Sequence, residues 1–107
     1  MPQYLLVPAT DGDITLHNTT ETNPYKLYKE LTGLWGTPVY TSFRHLSVIV
    51  AEEGDLYNLP RNPRASVFYR FPPGLCGDAI VVYVPQDNMQ DFPSEEYIDR
   101  IKAVLKS

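Results

Sequence analysis

The chain has 107 residues, 43% apolar and 21% charged, which bounds it to one domain with a real hydrophobic core and excludes wholesale disorder. Its net charge of −4 argues against a general nucleic-acid or acidic-membrane binder, because such proteins need clustered Lys and Arg to displace counterions. A single cysteine, Cys76, excludes an internal disulfide and any multi-cysteine metal site.

The opening stretch, MPQYLLVPATDGD, carries no basic leader, and its apolar run is too short for a signal peptide. No segment approaches membrane-spanning length. An intracellular protein without a membrane partner is therefore expected. Tyr4 to Val7 reads as a first strand and Ile14 to His17 as a second. Thr10-Asp11-Gly12-Asp13 between them is a hairpin signal, with Gly12 as the residue for a positive φ. Asn23-Pro24 then opens a helix: Asn caps it, and Pro at the first position loses no hydrogen bond. Leu27, Tyr28, Leu31 and Leu34 recur at helical spacing, and Gly33 is placed to end the helix in a left-handed conformation.

Pro38 to Phe43 and Leu46 to Ala51 are two β-rich runs joined by Arg44-His45, each alternating apolar and polar or partly covered positions. Glu52-Glu53-Gly54-Asp55 reverses the chain towards Leu56 and Leu59. Asn62-Pro63 repeats the helix opening, so Arg64 to Tyr69 reads as a short helical segment, followed by a proline-rich loop from Phe71 to Gly74. Ala79 to Val84 (AIVVYV) has the uninterrupted β-branched character of a central strand covered on both faces. Ser94 caps a last helix whose Ile98, Ile101 and Leu105 form one apolar stripe, with Glu95 and Glu96 in its positive first turn. The fold class that follows is α+β: a mostly antiparallel sheet of about five strands packed by two main helices.

The stretch Val48 to Asn62, VIVAEEGDLYNLPRN, carries more than generic patterning. With Gly77-Asp78-Ala79-Ile80-Val81-Val82 downstream, it resembles the DUF3846 family of small phage and mobile-element proteins, mainly over residues 39–84. The resemblance implies a small α/β domain of viral or mobile-element origin and brings no catalytic residues. Its shared positions read as structural: Gly54 for a turn, Leu56 and Leu59 for core, Asn62 for a cap.

No catalytic constellation emerges. Cys76 with His45 or His17 would be a nucleophile–base pair, but no nucleophile signature surrounds the cysteine, and a buried structural thiol is the plainer reading. The EEGD turn lacks the alternating ligands of a calcium loop, and no phosphate loop or paired-histidine metal spacing is present; no cofactor is implied. The strongest binding candidate is the cluster Arg61, Asn62, Arg64 and Arg70 with Tyr69. A helix start at Asn62 would offer backbone N–H groups, and the arginines forked donors, to a small anion or nucleotide. The competing reading makes Asn62 a cap only and pairs the arginines with Glu52, Glu53 and Asp55. An interface through Trp35, Arg44 and His45, with Tyr40, Phe43, Phe68 and Phe71 as further aromatic candidates, fits the enrichment of aromatics and arginine where proteins meet. Six acids and no base lie between Phe71 and Asp99, a surface able to mimic or repel nucleic acid. The function expected is a non-enzymatic binding protein of viral or mobile-element type, in the host cytoplasm, that modulates a host protein through an exposed face near Arg44, Arg61 and Arg64. The alternative is a small-anion or nucleotide binder at Asn62, working as a symmetric homo-oligomer.

Overall fold

The computed structural model describes residues 1–69 and 74–106. Five strands form one antiparallel sheet: β1 (Gln3–Val7), β2 (Thr15–Asn18), β3 (Gly36–Tyr40), β4 (Leu46–Ala51) and β5 (Ala79–Tyr83). Their order across the sheet is β2-β1-β5-β4-β3. The helices α1 (Pro24–Thr32) and α2 (Glu95–Lys106) lie on opposite faces, and a 3-10 turn at Ala65–Phe68 shares the α2 face. The arrangement is α+β, as the sequence predicts.

The two faces follow from the strand period. Leu5, Val7, Leu46, Val48, Val50, Ala79 and Val81 point to α2 and meet Ile98, Ile101 and Leu105. Their neighbours Tyr4, Ile49, Ile80 and Val82 point to α1 and meet Leu27 and Tyr28. β5, the most apolar run, sits in the middle between β1 and β4, with Ala79 to Val82 wholly buried. That position is the one its unbroken β-branched sequence requires.

Each helix end is closed by the residue the sequence offers. Asn23 Oδ1 accepts from the N–H groups of Tyr25 and Lys26 at 3.0 and 3.3 Å. Gly33, at φ 77°, donates its N–H to the Lys29 carbonyl. Ser94 Oγ accepts from Tyr97 N at 3.1 Å, starting α2. Gly36 fits α1 to the sheet by its size alone: a Cβ there would fall 2.6 Å from Ile49 Cγ2 and 2.9 Å from Tyr28 Cδ2.

Three sequence expectations are corrected. The strand expected over Pro38 to Phe43 ends at Tyr40. The Thr41 hydroxyl takes over locally, accepting from Phe43 N and donating towards the carbonyls of Phe43 and Leu46, which offers the backbone an alternative to the ladder. The β1–β2 connection is a wide loop and not a tight glycine turn: the glycines with positive φ are 33, 74 and 77. Asp78 Oδ1 anchors this loop by accepting from Ala9 N at 2.8 Å. Leu56, expected in the core, is 72% exposed. Residues 53–59 coil into a turn closed by Tyr57 N to Glu53 O and Leu59 N to Gly54 O, which brings Leu59 inward over Gly77 and leaves Leu56 outside. The short helix or helical turn expected from Arg64 to Tyr69 is present as a single 3-10 turn, Ala65–Phe68. The proline-rich loop, for the most part, lies outside the described residues.

The β3 edge of the sheet carries a proline, Pro38. Glu52 donates its N–H to the Trp35 carbonyl at 2.9 Å, continuing the β3–β4 register in which Pro38 faces Ile49. The alternation of antiparallel pairs then places Pro38 where a residue's N–H would point away from β4. The outer edge of β3 therefore lacks a donor at its midpoint, a device that blocks strand addition.

Candidate functional site

Asn62 is the one buried polar residue of the described core, with no exposed surface. Its Nδ2 donates to the carbonyls of Val7 at 2.9 Å and Gly77 at 3.0 Å, and its Oδ1 accepts from Ala65 N at 3.1 Å. The side chain thus caps the 3-10 turn and ties it to the end of β1 and to the turn before β5. Arg64 reaches across the same junction: Nη2 donates to the carbonyls of Pro8 and Thr10, both at 2.8 Å. It does not turn to Glu52, Glu53 or Asp55. Arg61 pairs through its backbone with Cys76 as an isolated bridge, Tyr69 is 38% exposed, and Arg70 lies outside the described residues. The sequence motif therefore marks a junction of three segments, with the carboxamide and one guanidinium engaged on backbone oxygens.

Cys76 is nearly buried, and its Sγ donates to Asp55 Oδ1 at 3.1 Å. Burial, and then the Asp55 carboxylate, push the thiol above its ordinary pKa, which keeps it protonated and a poor nucleophile. No histidine stands beside it. His45 packs edge-on against Tyr83, at the far end of β5, and His17 stacks on Tyr4 at 5.0 Å between centroids. Among the described residues no group of three or more His, Cys, Asp or Glu is placed to hold a metal ion. No described helix is long and apolar enough to cross a membrane.

The interface candidates separate. Trp35 stands at the start of the β3–β4 hairpin, 65% exposed, with Lys29 Nζ 4.7 Å from its ring centroid. Arg44 and His45 form the turn at the hairpin's other end, and His45 takes φ 62°. Phe43 and Phe68 face inward, 6.4 Å apart edge to face. Trp35 precedes β3 and Tyr40, 77% exposed, ends it, and Leu56 lines one hollow with Thr37, Pro38 and Val39 of that strand. Glu52, Glu53 and Asp55, with Leu56 and Tyr69, border a hollow of about 590 Å³ along the backbone of β3 and floored by Cys76.

A second hollow, of about 340 Å³, has no counterpart in the sequence reading. Tyr25 and Tyr40 are among its walls, Ile49 and Val84 part of its lining, and Asp87 and Asn88 stand at its rim. Its elements come from four separate segments, so only the outward phase of Tyr40 on its strand and of Tyr25 on the first helical turn signals it in the sequence. A third, of about 370 Å³, lies between Leu31 on α1 and Leu59. Compared with known proteins, the chain matches no family model, and no curated protein or solved structure matches it.

Proposed function

We propose that this chain is a non-enzymatic interaction protein of the small viral or mobile-element kind, which modulates a host protein through the β3 side of its sheet. The observation that carries the reading is the exposure of Trp35, Tyr40 and Leu56 along that edge, at 65%, 77% and 72%. Large apolar side chains left this open at one border of a small domain favour a protein-docking role, and Trp and Tyr are the side chains most often decisive in such contacts. Pro38 adds a constraint: with no donor at the strand's midpoint, a partner would dock on side chains and not by extending the sheet. The viral or mobile-element part of the reading rests on the DUF3846 resemblance over 39–84 alone. The alternative, an anion site at Asn62 with Arg61 and Arg64, draws no comparable support, because Asn62 is sealed from solvent and Arg64 is engaged on Pro8 and Thr10.

The test is native mass spectrometry of the protein taken from its natural host, compared with a Trp35→Ser/Leu56→Ser variant. A host protein bound in fixed stoichiometry to the parent and lost from the equally folded variant supports the reading. A bare chain in both, a small anion on both, or the same partner on both overturns it.

A further inference from the structure

We propose that the 340 Å³ hollow between Tyr25 and Tyr40 seats the side chain of an arginine from a basic segment of a partner protein, with Asp87 as its counter-charge. This deepens the interaction reading above and rests on it.

The hollow has the three components that a guanidinium needs. The first is a pair of aromatic walls. Tyr25 is 39% and Tyr40 77% exposed, so both rings are reachable from solvent. A tyrosine phenol is neutral at physiological pH, and burial, then the proximity of Tyr40, raise that of Tyr25 further. Guanidinium groups stack on such faces more readily than ammonium groups do. The second is an apolar surface, from Ile49 and Val84, against which the methylene stem can lie. The third is a carboxylate at the rim: Asp87, exposed and held at φ 65°. A carboxylate accepts a guanidinium through two parallel hydrogen bonds.

Charge complementarity decides between occupants. Among the described residues no lysine or arginine lines the hollow. Lys26, on the same turn of α1, is held by Glu21 at 3.5 Å, and His45 packs its ring against Tyr83 on the other face of the sheet. With a net charge of −4 on the chain and Asp87 at the mouth, an anionic ligand would be repelled and a cation drawn in. A volume near 340 Å³ is at the small end of ligand sites, enough for one long side chain with its flanking backbone.

The experiment is a titration of isotope-labelled protein, followed by NMR chemical shifts, with the peptide acetyl-Gly-Gly-Arg-Gly-Gly-amide. A matched peptide carrying citrulline keeps the shape and removes the charge. Shifts centred on Tyr25, Tyr40, Asp87 and Asn88 are expected, with at least about fivefold weaker binding for the citrulline peptide. Asp87→Asn should weaken the arginine peptide by a similar factor at unchanged melting temperature, because asparagine tolerates the left-handed backbone as well as aspartate does. Equal response to both peptides, no response, or shifts centred instead on Glu52, Glu53 and Asp55 would overturn the proposal. The outcome is independent of Trp35 and Leu56 and of any host partner, so the hollow and the β3 docking edge fail separately.

Discussion

Asn62 Nδ2 donates to the carbonyl of Val7 across fifty-five residues of chain, at 2.9 Å, inside a site with no solvent. The same carboxamide serves Gly77 and Ala65, so one side chain satisfies three backbone groups that water cannot reach. Asn62→Ala should therefore cost on the order of 3 kcal/mol, since each stranded buried group costs about 1–3 kcal/mol and some relaxation is expected. Asn62→Asp should be at least as damaging, because a carboxylate cannot donate to two carbonyls. Urea denaturation followed by circular dichroism measures both. A loss under about 1 kcal/mol for either would remove Asn62 from the centre of the junction.

Gly36 and Tyr28 give a second expectation, of opposite character. A methyl group at Gly36 would overlap Ile49 and the Tyr28 ring, so Gly36→Ala should destabilise by about 1–3 kcal/mol through overpacking. The double variant Gly36→Ala/Tyr28→Leu, with a slimmer partner, should recover part of that loss. Strictly additive effects would show that the crowding is not between these two residues.

Leu56 and Leu59 are three residues apart and should respond in different ways. Leu56→Asp is expected to change stability by no more than about 0.5 kcal/mol, as exposed positions do. Leu59→Asp, at a residue packed on the α1 face and against Gly77, should cost several times as much, about 2–4 kcal/mol. Thermal melts of the two variants side by side provide the check.

Alkaline pH should weaken the fold in two steps. Cys76 and Tyr28 both have raised pKa values in the folded state, so the folded chain holds their protons longer than the unfolded chain does. Stability tied to such a group is fully present below its unfolded pKa and is lost as pH rises through the folded one. For Cys76 the loss begins near the ordinary thiol pKa. For Tyr28, whose phenol is pushed up to about 12 by burial and then by the Asp78 charge, it runs from about pH 10 upward. Tyr28→Phe should flatten the upper part of a stability–pH curve while losing the 2.8 Å bond to the Asp78 carbonyl. Native Cys76 should alkylate at least about tenfold more slowly than the urea-unfolded chain.

Much of the architecture was legible because local chemistry and burial agree. Asn23, Gly33 and Ser94 close helices for the reasons their side chains suggest, and the β-branched run at Ala79 could only be a covered central strand. Leu56 was misread because a turn decides which of two nearby leucines faces inward, and periodicity is silent inside turns. Asn62 was recognised as a cap, but its bonds to Val7 and Gly77 depend on tertiary placement that no spacing encodes. The Tyr25–Tyr40 hollow leaves only the outward phase of its two tyrosines as a sign in the sequence, for the same reason: its walls come from four segments that meet only in the folded chain.

The strand order has a consequence for how the chain acquires its shape during synthesis. β1–β2 and β3–β4 are each local hairpins, yet they share no ladder; β5 is the wedge that joins them, pairing Leu5 with Val81 on one side and Val48 with Val81 on the other. A ribosome-bound chain that has not yet exposed Ala79 would carry two hairpins with bare inner edges and no centre. Such non-local closure is slow and leaves sticky intermediates. Folding should therefore wait for β5 and then complete in one late step, and a nascent chain stalled before residue 79 should be a preferred client of chaperones.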